Sequence, residues 1–514
     1  MTAMLSRRAL LASASLAVLH PARAQPVAKR LVAGTRVLEV NGRPATVFAL
    51  SQPDGTHGVR LDLGEAFRVE LDNQAGEPTI VHWHGQTPPP AQDGVTDTGF
   101  AAPIPAGGSA QYDFRARAGT HWMHSHHGLQ EQRLMAAPLV VRTPEDLRAD
   151  LQDVTVLLHD FTFRDPAEVL AGLTGSNTAG GHAMAGMGGA VPGMSGAMAH
   201  GGVMTHEGGH AGADAGTASH GGGMAHGGAA GAPHAATAMT GMPMDLNDVA
   251  FDAFLANDRT LADPLVVRTE AGAALRLRLI NGATATSFWI DLNGLEGQVV
   301  AVDGNDVVPL VVRRLPLAQG QRVDLLLRLP RGTGAVPILA QREGDRARTG
   351  LILAPPGAAI RKLADQADQA VPPIDLSLER RLRAAAPLPP RHPDRVHEVM
   401  LSGTMQPYAW AIDGRAWADH RPLRVAAGER VELNLVNRSM MAHPMHLHGH
   451  HFQVLALNGT ALPGAVRDTV LVPVGGRVRV AFQADNPGRW LFHCHNLYHM
   501  ATGMMTELVY DGAA

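Results

Sequence analysis

The chain has 514 residues, enough for about three domains of ordinary size with separate buried cores. Its 43 Lys and Arg against 47 Asp and Glu give a formal charge of −4, and 18% of residues are charged, which excludes a strongly basic nucleic-acid binder. One cysteine excludes an intrachain disulfide, while 27 His and 21 Met are the counts that need a chemical reason.

Met1 to Ala24 reads as an export signal: Arg7 and Arg8 precede an apolar run to Leu19, and Ala22-Arg23-Ala24 is a small-x-small cleavage site. The arginine pair fits a signal read by the twin-arginine export machinery; the plainer alternative is an ordinary signal with two arginines in its n-region. Either route predicts a periplasmic protein. No other segment has the 18 or so consecutive apolar residues that span a bilayer, so no stable membrane insertion is expected.

Beyond the signal the chain reads as all-β. Short alternating runs such as Phe67-Arg68-Val69-Glu70-Leu71 and Arg430 to Leu435 are separated by Gly, Pro, Asn and Asp. Leu275 to Asn281 followed by Phe288 to Gly294 parallels Val431 to Asn437 followed by His443 to Gly449, and Phe67 to Asn73 followed by His82-Trp83-His84-Gly85 has the same layout. Three copies of one Greek-key β-sandwich unit are predicted, at residues 30–147, 148–355 and 396–514. The outer copies carry histidines where the middle one has none. Gly175 to Met244, an insertion in the second unit, sets nine Met and seven His in Gly and Ala. It has too little apolar surface to offset its ordering entropy and is expected to be disordered without metal. Residues 356–395, with Pro372-Pro373 and Pro387-Leu388-Pro389-Pro390, read as a linker.

Four His-x-His elements occur: His82/His84, His124/His126, His446/His448 and His493/His495. On a strand, residues i and i+2 point to one face about 7 Å apart, which suits two neighbouring metal ions. A single such pair is more often a solvent-facing strand; four pairs, two in each outer unit, predict a metal cluster at the interface between repeats. In His493-Cys494-His495-Asn496-Leu497-Tyr498-His499 the cysteine points away from its flanking histidines and needs partners of its own. His443 and His499 supply two imidazoles and Met504 a weak axial thioether, the set of a blue-copper electron-transfer site.

On these motifs the chain resembles the multicopper oxidases, and specifically their bacterial periplasmic copper-resistance, or cuprous oxidase, branch. The four motifs are His82-Trp83-His84-Gly85, His124-Ser125-His126, His443-Pro444-Met445-His446-Leu447-His448-Gly449, and His493-Cys494-His495 through Met504. The resemblance implies three cupredoxin-like sandwiches and four copper ions. It implies His82 and His446 as type-2 ligands, His84, His124 and His495 on one type-3 copper, and His126, His448 and His493 on the other. Cys494, His443 and His499 match the type-1 ligands, with Met504 axial. Electrons from a donor would then pass from the type-1 site through Cys494 to His493 and His495, and four of them would reduce O2 to water.

Asp93 matches a carboxylate that resembles the family's proton-delivery residue; Asp93-Gly94 is also an ordinary turn sequence. The acidic residue that some bacterial relatives carry just after the second type-1 histidine is Met500 here. Met441 matches a methionine that helps bind substrate Cu(I), but the aspartate two positions earlier in those enzymes is Ser439. Soft thioethers match Cu(I), so the Met and His tract reads as a copper-collecting arm, with a plain flexible spacer as the alternative. Cu(I) is the expected donor. A laccase-like oxidase of phenols or other small organic reductants, and a non-enzymatic copper store, are the alternatives. His121, His127, His450 and His451 adjoin the motifs without an assigned role.

Overall fold

The computed structural model describes residues 28–175 and 246–513. The expected export signal, and all of the Met and His tract beyond Gly175, lie outside the described residues. The rest is β, in six sheets that enclose three apolar cores. No helix among the described residues is long and apolar enough to cross a membrane.

Alternation writes the sheets. In Ala66–Asn73 the side chains of Phe67, Val69, Leu71 and Asn73 are buried, and in Arg430–Asn437 those of Val431, Leu433, Leu435 and Asn437. The same winding occurs three times. An opening strand, Lys29–Val40, Gln152–Phe161 or Arg395–Met405, lies parallel to the alternating strand of its unit, with Leu31 opposite Leu71, Val154 opposite Leu277 and His397 opposite Leu433. The alternating strand then pairs antiparallel with Ser109–Arg115, Arg322–Arg328 or Arg477–Gln483. The facing sheet has Gly119–Ser125, Val336–Arg342 or Arg489–Cys494 next to Val81–His82, Phe288–Asp291 or His443–Leu447.

Each alternating strand ends on a buried asparagine that sets the path of the next loop. Asn73 Nδ2 donates to Glu77 O and Ile104 O, and its Oδ1 accepts from Ala75 N–H. Asn281 and Asn437 repeat this: Nδ2 donates to Thr286 O and Leu317 O in one, and to Met441 O and Val472 O in the other, while Oδ1 accepts from Ala283 and Ser439 N–H. An amide with both ends satisfied in a dry interior fixes its loop far more tightly than a solvated turn would. In the outer units that loop leads directly to histidines.

Residues 356–395 run over the second and third cores. Leu378 and Leu382 pack in the second core, Ile374 and Leu376 in the third, and the buried Glu379 carboxylate accepts from Arg467 Nε at 2.7 Å.

Candidate metal centres

Cross-strand pairing brings the histidines together in register: His82 lies opposite His124, and His446 opposite His493. The second member of each pair departs from the strand expectation. His84, His126, His448 and His495 stand just past the ends of Val81–His82, Gly119–Ser125, His443–Leu447 and Arg489–Cys494, where the chain leaves the sheet. The two imidazoles of the pairs His124/His126, His446/His448 and His493/His495 therefore separate into different clusters, while His84 both joins His82 and enters a second cluster.

Four clusters of buried histidine and cysteine donors result. His82, His84 and His446 form one, His84, His124 and His495 a second, His126, His448 and His493 a third, and His443, Cys494 and His499 a fourth; within each the donor atoms lie within 4.8 Å of one another. Buried imidazole nitrogens without any hydrogen-bond partner are concentrated here: His82 Nε2, His84 Nδ1, His124 Nε2, both nitrogens of His126, His446 Nε2 and His495 Nε2. An unpartnered buried nitrogen costs roughly 1 to 3 kcal/mol, a pattern that fits metal donors and not core packing. Burial holds His84, His124, His126, His448, His493 and His495 well below the ordinary imidazole range, so their lone pairs are free of protons.

The fourth cluster sits in the third core. Cys494 Sγ is 3.6 Å from both His443 Nδ1 and His499 Nδ1, and these two nitrogens are 3.2 Å apart, a trigonal face of two imidazole nitrogens and one sulfur. Burial pushes the Cys494 thiol up, so its deprotonation is tied to metal binding. Asn496 N–H points at the sulfur from 3.4 Å, and Cys494 N–H donates to Met504 O at 3.0 Å, with Met504 buried in the same core. Ser439, the departure noted in the sequence, contacts His443 Nε2 through Oγ at 2.6 Å. Met441 is buried nearby and Met440 exposed.

Carboxylates hold the outer edges of these rings. Asp93 Oδ2 accepts from His448 Nδ1 at 2.8 Å, and His82 Nδ1 donates to Asp93 O at 2.9 Å. The turn reading of Asp93-Gly94 also applies: Gly94 has φ 80°, and a Cβ there would lie 1.8 Å from Val81 O. Asp468 Oδ1 lies 3.1 Å from His84 Nε2, and Asp468 O accepts from His446 Nδ1 at 2.9 Å. Burial alone would raise the Asp468 carboxyl, but the Arg322 guanidinium, paired with it at 2.5 and 2.7 Å, outweighs that and holds it well below the usual range. Glu131 Oε2 is 3.0 Å from His124 Nδ1. Asp248 Oδ2 lies 2.9 Å from His499 Nε2 and accepts from Tyr408 OH and Asn496 Nδ2.

Asp468, Glu131 and Asp248 are not singled out by the sequence. The signal for Glu131 is its place five residues past His126; Asp468 and Asp248 reach their histidines only through the fold. Three of the four unassigned histidines brace the site without joining a cluster. His450 Nε2 meets Tyr510 OH at 2.6 Å, His451 Nε2 meets Gly85 O at 2.9 Å, and His121 Nε2 meets Ala118 O at 3.0 Å. Met500 is buried in a small apolar cluster with Val95, Leu491, Leu497 and Met505.

Three family models described as multicopper oxidase match residues 51–146, 225–354 and 388–513. The chain is 30% identical over 474 residues to Multicopper oxidase MmcO of Mycobacterium tuberculosis, covering 88% of this chain and 81% of that one. It is 26% identical over 570 residues to a Copper resistance protein A homolog of Pseudomonas syringae pv. tomato, covering 93% and 91%. Among solved structures, a multicopper oxidase of Pseudomonas thermotolerans superposes with a TM-score of 0.63 at 22% identity over 94% of this chain and 98% of that one. Fet3p, a multicopper oxidase that functions in iron import, gives 0.69 at 17% identity over 94% and 90%. The chain belongs to the multicopper oxidase family, copper-dependent oxidoreductases that use O2.

Proposed function

We propose that the protein is a cuprous oxidase of copper tolerance, which oxidises four Cu(I) to Cu(II) while one O2 takes up four protons and becomes two water molecules. The resident coppers supply reversible one-electron chemistry. In this reading His443, Cys494, His499 and Met504 would hold the type-1 ion, and His82 and His446 the type-2 ion. His84, His124 and His495 would hold one type-3 ion, and His126, His448 and His493 the other. The observation that carries the proposal is the position of Cys494: its sulfur faces His443 and His499 while its two chain neighbours, His493 and His495, face the other clusters. A few covalent bonds of one strand end therefore join the two kinds of site.

The surrounding residues have matching tasks. Asp93 accepts from His448 and lies at the edge of the His82 ring, placed to hold a proton beside the three-copper site. Arg322 keeps Asp468 charged against the rings of His84 and His446. At the donor side, Met441 and the exposed Met440 offer soft sulfur next to His443, and Asp248 offers a carboxylate at the His499 edge.

Cu(I) as donor draws on the copper-resistance name of the Pseudomonas syringae relative and on the Met and His tract, whose described flanks abut this same site. Leu170 and Leu173 pack against the core that holds Cys494, and on the far side of the tract Asp248 meets His499. Laccases are also among the relatives, at 25% identity for Laccase-1 of Melanocarpus albomyces, and Asp248 could accept a phenolic proton. Deleting residues 176–244 separates the two readings. Cu(I)-driven O2 uptake should fall at least about tenfold while phenol oxidation and the blue band persist, as expected if soft-ligand capture limits the rate. Equal rates on Cu(I) before and after the deletion would sink the copper-collecting role. The same reading places the mature chain in the periplasm, delivered by a signal that contains Arg7 and Arg8, and divides it at residues 30–147, 148–355 and 396–514.

A further inference from the structure

We propose, building on the ligand assignment above, that Glu131 is a positioning residue of the three-copper site: its carboxylate holds the Nδ1 edge of His124 and turns Nε2 of that ring toward the metal shared with His84 and His495. Glu131 Oε2 is 3.0 Å from His124 Nδ1, which also faces Ser125 O at 3.2 Å, and His124 Nε2 is buried without a partner in the cluster. A carboxylate on the outer nitrogen of a ligand histidine fixes both the ring's orientation and which nitrogen is free to bind metal. Trp122 stacks on the other aspect of the ring, with centroids 4.3 Å apart and planes at 20°.

The turn that carries Glu131 is built for one geometry. In the 3-10 turn Gln130–Arg133, three consecutive polar side chains, Gln130, Glu131 and Gln132, are all buried. Gln130 Oε1 accepts from Thr79 Oγ1 and Ser125 Oγ, both at 2.7 Å, and its Nε2 donates to Pro78 O. Gln132 Oε1 accepts from Thr284 Oγ1 at 2.7 Å and Tyr498 OH at 3.1 Å, so the turn is tied to the second and third sandwiches as well as its own. It closes on Leu134 with φ 64°, a left-handed conformation that a leucine adopts at a cost of roughly 1 kcal/mol or more and only where its surroundings dictate it.

The charge balance points the same way. No Lys or Arg among the described residues pairs with Glu131, and its Oε1 has no partner. Its one ion-pair contact among the described residues is the His124 ring, so the ring edge and the carboxylate define each other's position. Asp93 and Asp468 stand in the same relation to His448 and His84. With Glu131, two of the three ligand rings assigned to the copper of His84, His124 and His495 are backed by a carboxylate.

Full-length wild type, Glu131→Leu and Glu131→Gln test this through copper per chain, the blue band, the electron paramagnetic resonance of the type-3 pair and O2 uptake. Glu131→Leu should keep the blue band but weaken retention of type-3 copper against a chelator about 10- to 100-fold, with a new resonance from uncoupled copper. Glu131→Gln keeps an acceptor for Nδ1–H and loses the charge, so coupling should return with retention between the two. A fully loaded, coupled and active Glu131→Leu overturns the role of Glu131. If Glu131→Leu yields no blue protein, Glu131→Gln decides, and retention identical to wild type overturns the proposal. A wild type that holds no stoichiometric copper would instead bring down the ligand assignment itself.

Discussion

The first and third sandwiches carry every histidine and the cysteine of the four clusters, and the middle one carries none, although all three are wound alike. Nine residues beyond the corner asparagines Asn73, Asn281 and Asn437 stand His82, Ile290 and His446. Their cross-strand partners are His124, Ala340 and His493. The same strand position thus carries a histidine of a candidate metal cluster in two copies and buried core in the third, where Ile290 is 1% and Ala340 2% exposed. The middle unit contributes differently, by backing the site. Arg322 reaches Asp468, and Gly320, at φ 76°, comes so close that a Cβ on it would lie 2.7 Å from the His495 ring. Topology supplies equivalent positions, and chemistry depends on what two facing units place there.

The largest break in that comparison is Cys494→Ser. A hydroxyl is a poor substitute for a thiolate on copper, so the blue band and donor oxidation should both vanish, while the eight histidines of the other clusters still retain copper. Absorption, copper per chain and O2 uptake on one preparation check this; a blue, active Cys494→Ser enzyme would remove Cys494 from the site. The converse experiment asks whether a facing histidine pair is enough. Ile290→His with Ala340→His restores the pair in the register of His446 and His493, but in an apolar core with no converging partners from another unit. It should bind no copper beyond the family's four and should destabilise the chain by several kcal/mol, about 3 to 6, from two buried imidazoles without partners. A fifth bound copper would show that the pair alone makes a site.

That contrast also explains what was legible in the sequence. The histidine pairs could be read because each is local: two residues apart, repeated four times, and tied to a strand pattern. The lone cysteine could be read because its two neighbours leave it the opposite face. Asp468 and Asp248 could not, because their partners are remote; His84 and Asp468 are 384 residues apart and meet only after the first and third sandwiches close on each other. Asp93 is legible through family resemblance, and its environment accommodates both readings offered for it, since the carboxylate meets His448 while Gly94 makes the turn. Strand periodicity also overreached by one step. It placed both members of each pair on a strand, whereas the second stands beyond the last ladder bond, where interface packing replaces sheet geometry.

The middle sandwich has its own buried carboxylate, Glu343, and it sharpens the comparison because it faces no metal cluster. Its Oε2 accepts from Ile374 N–H at 2.9 Å, an interaction that joins the second unit to the segment running on to the third. Burial raises the carboxyl, against the pull of that N–H, Ser287 and Arg342, to about 7. Below about pH 4 the group is protonated in the folded and unfolded chain alike and contributes nothing to the pH dependence. Between about 4 and 7 the unfolded chain releases the proton while the folded chain keeps it, so stability falls as pH rises and reaches its full deficit above 7. Glu343→Gln keeps an acceptor for Ile374 and removes the ionisation. It should therefore raise stability above pH 7 by up to about 3 kcal/mol, with the gain shrinking to nothing near pH 4. Copper content and Cu(I) turnover should be unchanged. Thermal midpoints of the two proteins across that range test the point, and curves that stay parallel would mean that Glu343 titrates in the folded chain as it does in water.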